Sequence, residues 1–444
     1  MSAPPDRARL REQRAWYVYD WANSAFATTV VSVLLGPYLT GIAKSAADAN
    51  GNVSVFGIPV ASSSLWPYCV SLSVFLQLFV LPITGALADY GRRKREMLGA
   101  FAFLGSSATI ALYWLTGTRY LYGAALFIFA NLVYGASIVV YNSFLPEIAT
   151  EQERDDVSSK GWGLGYLGGG LLLAANLLLF LRASSLGLTE AQAARISIAS
   201  AGAWWGLFTL ITLAGLRNRN PVKQAEGGNA LRAALGQLAH TAREIRNYRH
   251  TMLFLGAYLL YNDAIQTVVT VASQFGSSVL SLSMTDLLVS ILIVQLVAFV
   301  GALVFDVIAK WIGNKKAVMV SLVIWSLTLL YIYLMVHTRT DFFIVAAILG
   351  TVLGGSQALS RSIYSLMIPA GREAEYFSVY EISDKGTSWL GPLFFGLANQ
   401  LFGDQRLAIL SLVVFFVAGL AILSRVNVEE GAREATGSGP LSKQ

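Results

Sequence analysis

The chain has 444 residues, 55% of them hydrophobic and only 13% charged, and its mean hydropathy is +0.57. Soluble domains carry about 25% charged residues, so this composition excludes a soluble enzyme or binding module and predicts an integral membrane protein in contact with a lipid bilayer. The net charge of +6 does not point to nucleic acid, because the Lys and Arg sit in loops between apolar runs and not on one polar face.

The Arg-rich N-terminus leads straight into an apolar run with no small-residue cleavage site, which predicts an uncleaved first helix. A spanning helix needs about 20 apolar residues. On that rule, spans fall near 15–43, 62–88, 96–117, 120–146, 161–182 and 194–216, then 251–275, 285–309, 317–337, 341–369, 375–402 and 405–424. The expected architecture is all-α, with twelve transmembrane helices in two six-helix bundles at 1–216 and 251–426. A linker at 217–250 joins them, and a disordered tail follows at 427–444. In the linker, Leu231, Leu235, Leu238, Ala242 and Ile245 recur at helical spacing, which predicts an amphipathic helix on the membrane surface or a plain tether. With the N-terminus inside, the inner segments hold 24 Lys and Arg and the outer ones 6. Both termini are therefore expected in the cytoplasm, of a bacterial inner membrane.

GALADYGRRKR at 85–95 has an echo in GALVFDVIAKWIGNKK at 301–316. Each copy ends an apolar run with an Asp (Asp89, Asp306), a Gly suited to a tight turn (Gly91, Gly313) and basic residues (Arg92 and Arg93 in the first, Lys315 and Lys316 in the second). Two copies half a chain apart imply a duplicated unit. The pattern resembles the loop motif between helices 2 and 3, and 8 and 9, of the major facilitator superfamily, whose fold is two six-helix bundles related by an internal repeat. On that resemblance these residues are gating loops that latch onto the opposite bundle; a monomer is the expected oligomeric state.

Gly161, Gly165 and Gly169 repeat at spacing four in the fifth span, with Gly163, Gly168 and Gly170 between them, and Gly350, Gly354 and Gly355 lie in the tenth. Small residues at each turn allow close helix approach, which lipid cannot drive by hydrophobicity. An ionisable side chain inside a span needs a partner or a watery cavity. The candidates are Asp20 with Asn23 one turn on, Asn131 and Tyr134 in the fourth span, Asn262, Asp263 and Gln266 in the seventh, and Gln357 and Arg361 in the tenth. Asp263 stands about 17 Å into its helix, near the midplane, where it is, ahead of Asp20, the candidate carrier of a coupling proton. Tyr261, Asn262 and Gln266 are its expected hydrogen-bond partners. A structural ion pair is the alternative reading of Asp263 and Arg361. Glu381, Asp384 and Lys385, and also Glu147, lie at inner helix ends and read as a structural or gating latch. The single cysteine, Cys69, cannot form an internal disulfide, and His240, His250 and His337 lack metal-ligand spacing, so no metal or cofactor is expected.

YVYDWANSAFATTV (17–30), YNSFLPEIA (141–149), SSKGWGLGYLGGG (158–170), GGSQALSRSIYSLMIP (354–369) and EYFSVYEISDKGTSWLGPLFFG (375–396) resemble the vacuolar effluxer family, named for autophagy-linked fungal permeases, and its bacterial relatives. The resemblance carries over Asp20, Asn23, Trp162, Tyr166, Gln357, Ser360 and Arg361. It implies a secondary active transporter of small polar organic solutes of the amino-acid kind, in which helices 1, 4, 7 and 10 line a central cavity; the embedded acids make a proton the candidate coupling ion. A drug or sugar exporter of the same superfamily and a non-transporting membrane sensor are the alternatives. No nucleophile–base pair, metal-ligand set or phosphate loop is present, so an enzyme is not expected.

Overall fold

The computed structural model describes residues 7–90, 93–149, 154–219, 248–368, 380 and 388–435. The chain divides into two compact units, Met1–Leu235 with Ser283–Val289 and Gly236–Leu282 with Ser290–Gln444.

The first unit opens with α1 (Arg7–Ser45), which is longer than the apolar run because Arg and Glu are good helix formers. A nine-residue π segment, Phe26–Leu34, interrupts it. That stretch holds Thr28, Thr29, Val30, Val31 and Val33, β-branched residues of weak helix propensity, and π segments concentrate at functional sites. A hairpin that the apolar pattern does not predict follows, β1 (Asn52–Val55) and β2 (Ile58–Ala61), antiparallel with Val55 opposite Ile58. Its two-residue tip, Phe56–Gly57, has positive φ at both positions, the backbone of a primed hairpin turn. Then come α2 (Leu65–Tyr90), α3 (Lys94–Ala111), α4 (Tyr120–Asn142), α5 (Arg154–Leu181) and α6 (Glu190–Gly215). A capping box, Thr189 with Gln192, starts α6. Phe26 and Trp205, both fully buried with ring centroids 5.5 Å apart, sit at the core.

The second unit holds α7 (Arg249–Val279), α8 (Met284–Ile312) from Ser290 onward, α9 (Asn314–Met335), α10 (Arg339–Leu366), α11 (Leu390–Phe402) and α12 (Gln405–Ser424). Gly313 sits at φ +88° between α8 and α9, the turn its place in the repeat predicts, in a region that favours glycine. Trp325 stacks on Phe416 at 5.4 Å in the core.

Among the described residues ten helices are long and apolar enough to cross a membrane, and two shorter apolar helices, Met284–Ala298 within α8 and α11, occupy the eighth and eleventh places. The twelve-helix expectation holds, with two corrections to its elements. The eleventh span does not run unbroken over 375–402, because Ser388 and Trp389 form a turn from which α11 starts at Leu390. The tail is not unstructured throughout, since α13 (Val428–Ala435) follows α12. It docks because Asn427 donates its N–H to His250 Nδ1 at 3.1 Å, His250 Nε2 faces Glu430 at 3.1 Å, and Glu434 accepts the His250 N–H at 3.2 Å. The predicted linker helix lies outside the described residues.

Candidate functional site

In the first unit the glycine stripe of α5 meets α1. A Cβ added at Gly161 would lie 2.7 Å from Asp20 Oδ2, at Gly165 2.7 Å from Ser24 Oγ, at Gly168 2.5 Å from the Trp21 carbonyl and at Gly169 2.7 Å from Thr28 Oγ1. Only glycine lets the two backbones come this close. Gly163 and Gly170, on the other face, have nothing within 4 Å. Asp20 is half-buried where α1, α4 and α5 converge, and its Oδ2 accepts the Tyr141 hydroxyl at 2.7 Å. Tyr141 stacks on Trp16 at 4.3 Å, and Trp16 Nε1 donates to the Tyr141 carbonyl at 3.0 Å. One turn on, Asn23 is 3% exposed, and its Nδ2 has no hydrogen-bond partner among the described residues. Tyr134 is half-buried and packs on Phe26 at 5.2 Å.

Asn131 is engaged elsewhere. Its Nδ2 donates to Ser73 Oγ at 2.8 Å and its carbonyl accepts from Gln77 Nε2 at 2.7 Å, which ties α4 to α2.

In the second unit Arg361 is exposed on α10 and Gln357, one turn before it, is half-buried. The neighbouring Ser360 shares a 2.6 Å hydrogen bond with the Tyr261 hydroxyl, which joins α10 to α7. Gln266 is half-buried, whereas Asn262 and Asp263 are each 1% exposed. Asp263 does not turn to the partners its sequence neighbours suggest. Its Oδ2 accepts the N–H of Gly391 at 2.7 Å, in the first turn of α11, where the helix dipole and free amides favour negative charge. Its Oδ1 has no hydrogen-bond partner among the described residues. The fit is tight, because a Cβ at Gly391 would lie 2.1 Å from Thr267 Oγ1. No sequence signal marks this pairing, since 128 residues separate the partners.

Of the gating-loop candidates, Arg93 is exposed just ahead of α3, and Asp89 and Asp306 belong to α2 and α8. Gly91, Arg92, Glu381, Asp384 and Lys385 lie outside the described residues. A latch that the loop motif does not spell out is built within the first unit. Lys94 Nζ bonds Glu147 Oε1 at 2.6 Å, and Arg219 pairs with Glu12 and lies 3.5 Å from Glu147. Asn218 accepts the Arg95 N–H at 2.9 Å and donates to Glu96 at 2.7 Å. The first linker residues are thus pinned to α1, α3 and the short helix Leu145–Ile148 that follows α4. In the second unit Lys315 Nζ donates to the Ser424 and Val426 carbonyls at 2.8 and 2.6 Å, satisfying acceptors that the end of α12 leaves open.

The family model for vacuole effluxers of the Atg22-like type matches residues 8–436. The chain belongs to that family. Among its relatives, the uncharacterized MFS-type transporter YxiO of Bacillus subtilis is 30% identical over 422 residues, 94% of this chain and 95% of YxiO. Autophagy-related protein 22 of Eremothecium gossypii is 26% identical over 96% of this chain and 93% of its own length. Two solved structures share the fold. A bacterial homologue of the human lysosomal transporter Spinster aligns with a TM-score of 0.65 at 15% identity, over 99% of this chain and 100% of its own. A D-xylose–proton symporter aligns with a TM-score of 0.66 at 13% identity, over 95% and 98%. The Atg22-like chain is therefore a transporter of the major facilitator type, an integral membrane protein with the twelve-helix fold.

Proposed function

We propose that this protein is a secondary active transporter that moves a small polar organic solute of the amino-acid class by alternating access. Asp20 is the residue of the first unit suited to an amino group and Arg361 the residue of the second unit suited to a carboxylate, each within its own unit. The observation that carries this reading is that a span of each unit holds a charge of opposite sign, Asp20 half-buried in α1 and Arg361 exposed on α10. A zwitterion carries a charge complementary to each, and Arg suits a carboxylate through its planar fork of donors. Asn23 and Gln357, each one turn from its charge, supply further polar contacts. Asp263 carries the coupling proton. Its carboxylate holds the first turn of α11, so neutralising it weakens that hold and gives proton uptake a mechanical consequence. The excess of Lys and Arg in alternate loops supports cytoplasmic termini and a bacterial inner-membrane location. The xylose and nucleoside transporters that share the fold do not bear on the substrate, because fold does not fix function.

The test is uptake of a panel of labelled solutes by purified protein in liposomes, with and without an imposed pH gradient. An amino acid accumulates against its gradient when the lumen and bath differ in pH. Arg361→Ala abolishes that uptake while the protein keeps its gel-filtration profile and helical content. Uptake retained by Arg361→Ala, or driven only for uncharged sugars, overturns the reading.

A further inference from the structure

Two large aromatic residues of α5, Trp162 and Tyr166, are 55% and 56% exposed, with ring centroids 6.1 Å apart. Their place on the helix separates them from its exposed leucines. At roughly 100° per residue, Leu167, Leu171 and Leu178, all at least half exposed, cluster on the side of α5 away from α1. Trp162 and Tyr166 instead follow Gly161 and Gly165, the two glycines that meet Asp20. The direction round the helix is also set. Gly168 meets Trp21, which stacks on Trp204 of α6 at 5.5 Å, so that edge of the stripe lies towards α6. Passing from Gly168 through Gly161, Gly165 and Gly169, the next positions are Trp162 and Tyr166, on the edge of the stripe away from α6. Tyr141 already holds Asp20 from α4.

We propose that Trp162 and Tyr166 are specificity-determining residues, an aromatic wall beside the Asp20 carboxylate that selects solutes bearing a protonated amine. The inference rests on the transport reading and names the chemistry of one end of its substrate. A carboxylate supplies the counter-charge, and the faces of Trp and Tyr attract a cation through their ring quadrupoles. Neutral sugars gain from neither. The wall belongs to the first unit alone, so it recognises the amine whatever binds at Arg361.

The experiment measures binding of three probes to the full-length protein in nanodiscs: L-leucine, its methyl ester, which keeps the amine and lacks the carboxylate, and 4-methylpentanoate, which does the reverse. Trp162→Ala and Tyr166→Ala each weaken the ester and leucine by roughly 3- to 30-fold and leave 4-methylpentanoate unchanged, while Trp162→Phe, which keeps a ring, restores most of the loss. Equal affinity of the ester for Trp162→Ala and the parent chain overturns the wall. A second measurement does not depend on transport. The fluorescence component lost in Trp162→Phe is quenched by iodide and shielded by the ester if Trp162 lines a wet site, and is quenched by brominated lipid instead if the proposal is wrong. Ester binding that needs Trp162, together with no uptake of any amine in liposomes, upholds the wall and removes the transport reading.

Discussion

At the scale of single residues, this protein shows how little a residue type says before its neighbours are known. Six glycines crowd residues 161–170, and sequence treats them alike. Gly168 sits where a Cβ would come within 2.5 Å of the Trp21 carbonyl and 2.9 Å of its Cα, atoms of a backbone that cannot swing aside. Gly163 has nothing within 4 Å. Gly168→Ala is therefore expected to cost about 1–3 kcal/mol through overpacking, and Gly163→Ala to be neutral or to stabilise by up to about 1 kcal/mol through helix propensity. Thermal unfolding of the two variants in the same detergent checks this, and equal midpoints would contradict the α1–α5 packing. The same holds for the embedded acids. Asp20 and Asp263 are both legible as costly groups in a span, yet one is held by a tyrosine hydroxyl and the other by a backbone amide.

At the scale of elements, the break before α11 changes what the seventh helix does. An apolar run over 375–402 reads as one span, because hydropathy does not register a turn at Ser388–Trp389. The turn creates a helix N-terminus inside the unit, and Asp263 of α7 supplies the acceptor that its amides need. Gly391→Ala places a methyl group 2.1 Å from Thr267 Oγ1, pushing α11 off α7 and stretching the Asp263 bond, at a cost of about 1–3 kcal/mol. Pairing it with Thr267→Ala removes the obstructing hydroxyl, so the double variant recovers most of the loss. A double-mutant cycle on unfolding midpoints reads the coupling, and strictly additive effects would show that the two residues do not meet. The docking of α13 on His250 follows the same logic, since Glu434 accepts an amide from the first turn of α7.

At the scale of the whole molecule, coupling is a property of a cycle and not of one contact. Asp263→Asn keeps the shape of the side chain and removes its titration. Under the proposed mechanism this variant loses accumulation driven by a pH gradient yet still exchanges labelled for unlabelled solute, because exchange moves no net proton. Counterflow and gradient-driven uptake in matched liposomes separate the two. Full gradient-driven accumulation by the variant would move the proton elsewhere, with Asp20 the next acid to test.

The sequence by itself determined the membrane class, the number of helices, the duplicated organisation and the family. Each of these is written in local composition, in run length against bilayer thickness and in motifs that recur. It also marked the charged residues of the spans, since lipid makes any such residue conspicuous. Which helix each glycine face meets, that Asn131 bonds α2, that Arg219 closes a charge network with Glu12 and Glu147, and that Asp263 caps α11 were decided only by tertiary structure. The physical reason is range. Helical periodicity tells which residues share a face, but a hydrogen bond or an ion pair forms over a few ångströms. Chain segments more than a hundred residues apart come within that distance only when the bundle has packed.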